Sequence, residues 1–155
     1  MNRRPLAKWF ERLFANLIDS LILLVPSAAL AGAFGGDAKG VVLLPLFALN
    51  MAYVVGFLSS SWQATPGKRL LNIYVIHADG SRLTPRDALE RFLAFILPSL
   101  AMYSTILSET TAQVLTIWLS MLWFVPILTT PERTGLHDKL CHTRVVAGRA
   151  DTPNR

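Results

Sequence analysis

These 155 residues predict an all-α membrane protein with four transmembrane helices, both termini in the cytoplasm, and a cytoplasmic loop between the second and third helices. Three observations predict it. The chain is 52% hydrophobic and only 16% charged, with mean hydropathy +0.42, well outside soluble usage. Apolar runs cover about residues 13–34, 41–58, 91–107 and 112–128, lengths near the ~17 to 25 residues with which a helix crosses ~30 Å of hydrocarbon. Fourteen of the fifteen Lys and Arg lie in the N-terminal arm, the central loop and the tail, and only Lys39 lies in the loops that four crossings put on the other side. Cytoplasmic loops collect such residues, which fixes the orientation.

The same bias explains a sequence pI near 9.9. The basic residues are spread along membrane edges without a recognition motif, which argues against nucleic acid and for anionic lipid headgroups. A soluble helical bundle would need more surface charge than fifteen basic and ten acidic residues provide. The single Cys141 forms no internal disulfide, so the chain does not read as an oxidised scaffold.

The first helix carries charge in its opening turns. Arg12, Asn16 and Asp19 are spaced i, i+4, i+7 and share one face, with Asp19 ~10 Å deeper than Arg12. A central aspartate costs ~2.5 to 3.5 kcal/mol, and the eleven Leu, Ile, Phe and Val residues from Leu13 to Phe34 each return ~0.3 to 0.6. Insertion is weakened but holds, and the polar stripe must face protein or water. Asp19 then either pairs with a cationic or amide group of another helix or forms an ion or proton site, and the residues alone leave both open. A basic start and Ala29-Leu30-Ala31 imitate a signal peptide, but the run is long, contains Asp19 and precedes further membrane segments, so the helix is expected to be retained.

The second helix offers Asn50 as a neighbour for Asp19 or as interhelical glue. Pro26, Pro45 and Pro98 fall inside apolar runs and predict kinks, with neighbouring groups satisfying the freed carbonyls. Trp62 marks a membrane edge. Thr65-Pro66-Gly67-Lys68 is a turn and not a phosphate loop, since Trp62 stands where the leading glycine belongs and Arg69 where Ser or Thr belongs. Ile73 to Ile76 is β-prone and Asp79-Gly80 is a turn signal, so the loop is expected to form a short β-hairpin or extended return. Thr84, Pro85 and Asp87 give the third helix an early start through an N-cap, a first-turn proline and an acidic third position.

Beyond the fourth span, His137, Asp138, Cys141 and His142 fall within six positions. A metal site lacks further ligands elsewhere in the sequence, so neither metal nor cofactor is expected. No Ser-His-Asp or Cys-His arrangement with an orienting third group is visible, and an enzyme is not expected. These residues read as a membrane-proximal cap, with Arg144 near phospholipid.

Arg12, Ile18-Asp19, Thr65 to Leu71, Asp79-Gly80, Arg91, Gly135 to Asp138 and Thr143 to Val146 together resemble the RDD family of bacterial membrane proteins, over roughly residues 8–147, with 148–155 as a polar tail. The family is named for one arginine and two aspartates, which match Arg12, Asp19 and Asp138; Gly67, Lys68, Arg91 and His137 also fall on its motifs. Pro66 departs from the small aliphatic residue more usual there. The resemblance implies a multi-pass protein, for which some relatives suggest monovalent cation and proton antiport. Asp19 would then alternate between proton and cation, with Arg12 tuning it, Asn16 or Asn50 lending oxygens and Asp138 relaying. Four spans leave little room for alternating access and no inverted repeat is visible, so a transporter of this size would be expected to oligomerise. The rival reading is a non-transport interaction or assembly module that docks a second copy or another membrane protein, with the charged residues holding the bundle together.

Overall fold

The computed structural model describes residues 5–34, 39–99, 108–129 and 134–148. Their elements run α1 (Trp9–Ala33), α2 (Lys39–Ser59), α3 (Pro66–Leu70), β1 (Ile73–His77), α4 (Pro85–Ile96), α5 (Glu109–Thr129), α6 (Leu136–Leu140) and β2 (Thr143–Ala147). Helices α1 and α5 are long and apolar enough to cross a membrane, and α2 contains the shorter apolar stretch Leu43–Ser59. Leu13, Leu17, Leu21 and Val25 of α1 are exposed, as are Ile117, Met121 and Leu128 of α5, a surface suited to hydrocarbon.

The helix starts follow local chemistry. Glu11 reaches back to the Lys8 N–H at 2.7 Å to begin α1. Thr84 and Asp87 form a reciprocal capping box, with Pro85 in the first turn of α4. Pro26 and Pro45 lie within unbroken helices. Pro98 does not, since α4 ends at Ile96. Proline disfavours helix in the residue before it and has no N–H for the carbonyl four residues back. That carbonyl belongs to Ala94, and the Trp123 indole of α5 donates to it at 3.1 Å. The expected span 91–107 therefore begins within α4, and its part from residue 100 lies outside the described residues.

The central loop does not close a hairpin on itself, and the protein is not purely α. Gly80 adopts φ +94 at the predicted turn, where glycine carries no side-chain penalty. Only Ser81 to Leu83 then separate the turn from the α4 capping box, too few for a return strand. Strand β1 instead pairs antiparallel with β2, with Val75 opposite Val145 and His77 opposite Thr143. The N-terminal arm extends the sheet, as Ala7 N–H donates to Val145 O at 3.0 Å and Ala147 N–H to Pro5 O at 2.9 Å. Ile73, Val75 and Val145 are buried in one cluster with Ala7 of the arm, Ala15 of α1, Leu58 of α2 and Ala88 of α4, while Val146 lies in a second with Ala64, Tyr74 and Ile76, so arm, central segment and tail are packed against the ends of these helices.

The element order repeats. A pair of helices, a five-residue helix and a strand occur first as α1, α2, α3, β1 and again as α4, α5, α6, β2. Residues with left-handed backbone, Asn72 (φ 55) and His142 (φ 50), precede the two strands at equivalent points. Lys68 and Asp138 occupy the third position of α3 and of α6, so the charge there is opposite in the two halves. The same order of elements thus recurs along the chain.

Candidate functional site

The face of α1 that carries Arg12, Ala15 and Asp19 is buried, although the rest of the helix is largely exposed. Ala15 has no side chain beyond Cβ, so α3 approaches α1 closely. There Gly67 fits only because it lacks a Cβ, which would stand 2.2 Å from the Ala15 carbonyl oxygen and 2.9 Å from Asp19 Cγ. The Gly67 N–H donates to Asp19 Oδ1 at 2.7 Å. Tyr53 of α2 donates its hydroxyl to the same oxygen at 2.8 Å. Thr65 Oγ1 donates to Oδ2 at 2.5 Å. Lys68 Nζ stands 4.0 Å from Oδ2, a looser charge contact. Asp19 thus joins α1, α2 and the start of α3 by three hydrogen bonds.

A second cluster lies beside it. Asp138 at the start of α6 is fully buried. It accepts from Arg12 Nη1 at 2.8 Å and from its own loop through the Gly135 N–H at 3.2 Å. Arg91 of α4 pairs with the other carboxylate oxygen and also donates to Thr143 Oγ1. Arg12 additionally reaches the Val145 carbonyl at 3.5 Å. His137 Nε2 is 3.3 Å from Asp138 Oδ1, with its ring edge-on to Phe95 at 5.5 Å between centroids. One carboxylate therefore ties two arginines from different helices to the tail.

Electrostatics follow from this crowding. Burial alone would raise the Asp138 carboxyl, but Arg91, His137 and Arg12 overcome it and hold it down at about 2. Burial pulls Lys68 down to about 8; Asp19 opposes this and Arg91 adds to it. His137 falls from 6.5 to about 4, chiefly by burial, against the attraction of Asp138 and with help from Arg91, Arg12 and Lys68. A base lowered in the folded state leaves the unfolded chain holding more protons between pH 6.5 and 4. The His137 contribution is therefore complete above about pH 6.5 and is lost as pH falls toward 4, by up to roughly 3 kcal/mol. Unfolding midpoints recorded from pH 7 to 4 should drop steeply for the wild type and more shallowly for His137→Gln.

Of the residues singled out in the sequence, Arg12, Asp19, Gly67, Lys68, Arg91, His137 and Asp138 all enter these two clusters. Arg12 pairs with Asp138, so Lys68 is the cation at Asp19. Asn16 Oδ1 faces Lys68 Nζ at 3.4 Å. Asn50 turns its amide to the Leu46 carbonyl of its own helix at 2.9 Å. Cys141 caps α6, half-exposed, and His142 occupies the turn that leads into β2. Arg144 sits in β2 opposite Ile76. Tyr53, Thr65 and Thr143 were not anticipated; Tyr53 had a signal, since it stands three residues after Asn50 on one helical face.

Above both clusters opens a cavity of about 1270 Å³. Helices α1, α2, α4 and α5 line it, with Arg12, Asn16, Asp19, Lys68 and Arg91 at its charged end and residues such as Leu46, Phe47 and Met121 along its walls.

The RDD family model matches residues 6–142. The uncharacterized protein YxaI of Bacillus subtilis (strain 168) is 26% identical over 167 aligned positions, covering 92% of this chain and 97% of that relative. No solved structure matches.

Proposed function

The chain belongs to the RDD family, and on that premise we propose that it is a non-enzymatic, four-crossing protein of a bacterial inner membrane that works as an interaction or assembly module. In this reading Arg12, Asp19, Arg91 and Asp138 clamp the helices to a cytoplasmic cap. The observation that carries it is the state of Asp19. Three donors already occupy its oxygens, whereas a cation would need neutral oxygen acceptors turned toward it. Shared hydrogen bonding of arm, central segment and tail supports an even number of crossings in each half, and the basic bias of those segments supports the cytoplasmic side. A second copy of the chain or another membrane protein is the partner this module would take.

Monovalent cation and proton exchange is the second reading. It is favoured by Lys68, held loosely 4.0 Å from Asp19 and brought down to about 8. A cation would displace the ammonium charge as Lys68 released its proton. Asp19→Asn separates the two readings, measured in everted vesicles at matched protein levels together with the unfolding midpoint. A clamp should lose roughly 2–4 kcal/mol of stability, because asparagine turns a donor or a neutral oxygen toward three existing donors. It should show no cation-driven proton movement above the empty-vector control, even in the wild type. Proton movement driven by sodium, lithium or potassium that vanishes in a stably folded variant would instead establish exchange.

A further inference from the structure

We infer that the cavity between the long helices is a binding site for an anionic phospholipid, with its phosphate against Lys68 and Asn16 and its acyl chains along the apolar walls. The inference goes beyond the clamp and does not depend on whether Asp19 exchanges ions.

Charge is the first argument. Three cations, Arg12, Lys68 and Arg91, surround the polar end against two carboxylates, Asp19 and Asp138, while His137 is neutral at pH 7. Among the described residues one positive charge is left over beside largely buried side chains. Both arginines are engaged by Asp138, and Asp19 is engaged by three hydrogen bonds. The surplus falls on Lys68, whose Nζ has only long contacts among the described residues: 3.4 Å to Asn16 Oδ1, 3.5 Å to Thr65 Oγ1 and 4.0 Å to Asp19 Oδ2. An ammonium held this way is poorly compensated, and a phosphate oxygen beside it supplies the missing short, charge-assisted bond. The Asn16 amide can donate to the same group.

Shape is the second. The space exceeds the roughly 300–1,000 Å³ of ordinary small-molecule sites, and its charged lining residues, Arg12, Asp19, Lys68 and Arg91, gather at one end. Leu23, Leu43 and Met121 line it farther along α1, α2 and α5, away from the charges. A free phosphate would leave those walls uncovered, while a diacyl anion matches both ends. Depth is the third. Lys68 lies at the junction between the long helices and the sheet-bearing cap, with Trp9 at the rim, the level at which headgroups and aromatic anchors meet. A zwitterionic lipid would bring a further cation among three that are already present.

The test uses the full chain purified in neutral detergent, with native mass spectrometry and thermal unfolding in the presence of phosphatidylglycerol, phosphatidylcholine or inorganic phosphate. Phosphatidylglycerol should remain bound at one per chain and raise the unfolding temperature above the phosphatidylcholine value. Lys68→Gln should weaken phosphatidylglycerol about tenfold or more and leave phosphatidylcholine unchanged. Arg69→Gln, whose guanidinium lies over the Trp62 ring at 4.6 Å outside the cavity, should alter neither. Equal retention of the two lipids by the wild type would overturn the inference, and that comparison stands even if Lys68→Gln does not fold. An equal loss in Arg69→Gln would overturn it too, by showing general basic attraction. Equal protection by inorganic phosphate would reassign the site to a free anion.

Discussion

Asp138→Asn should lower stability by about 3–5 kcal/mol, the range for breaking a buried ion pair by removing one partner. Asp138 is fully buried, and the arginines it holds are each only 7% exposed, so neither recovers water when the carboxylate is neutralised. Asparagine is nearly isosteric, so packing changes little and the loss reports charge. The same logic sets the acid limb. Asp138 titrates at about 2 in the folded chain against 3.8 when free, so its contribution is complete above pH 3.8 and disappears as pH falls toward 2. Chemical or thermal unfolding in detergent checks the first figure. Replacing Arg12, Arg91 and Asp138 together by apolar residues of similar volume should recover most of the loss, since the carboxylate and guanidinium groups then leave no unpaired charge behind. A wild-type midpoint in Asp138→Asn would show that the pair contributes nothing to holding tail and helices together.

Gly67→Ala should be the most damaging one-methyl change in the chain, destabilising by about 3 kcal/mol or more, at the upper end of overpacking costs. The added Cβ would meet the Ala15 carbonyl at 2.2 Å, which is backbone inside a helix and cannot swing aside. Helix α3 must retreat, and the Gly67 N–H then leaves Asp19. Gly56→Ala is the matched control: nothing lies within 4 Å of the place its methyl would take, and alanine in mid-helix should stabilise by about 0.5–1 kcal/mol. Unfolding midpoints of the two variants should therefore move in opposite directions. Similar midpoints would mean that α1 and α3 do not touch as described.

What could be read from the sequence follows the range of the interaction. The Arg12 and Asp19 stripe rests on helical period alone, and the structure buries that face. The Thr84, Pro85, Asp87 cap spans four residues, and the structure forms it. Pairing of β1 with β2 joins segments 70 residues apart, and nothing local announces it; the nearby Asp79-Gly80 turn favoured the wrong partner. The repeat was hidden for a related reason. Between residues 65–77 and 135–147 only Leu70/Leu140 and Val75/Val145 are identical, because burial constrains polarity pattern and not residue identity. Of the partners of Asp19 only Tyr53 had a helical-face signal; hydroxyl and backbone donors carry no charge signature, and Thr65 and Gly67 looked like turn chemistry.

The residues that Arg12 needs lie far along the chain. Asp138 follows it by 126 positions, and Val145, which binds the N-terminal arm, comes later still. At ~5–20 residues per second, ribosomal synthesis separates the two ends of that ion pair by roughly 6–25 s. Throughout that interval Arg12 is without the carboxylate that holds it in the finished fold. Insertion and completion are consequently distinct events in the life of the molecule. The last strand acts as a latch that the nascent chain delivers itself, and a chain stopped before it would keep its helices but lack the partners that close the charged face.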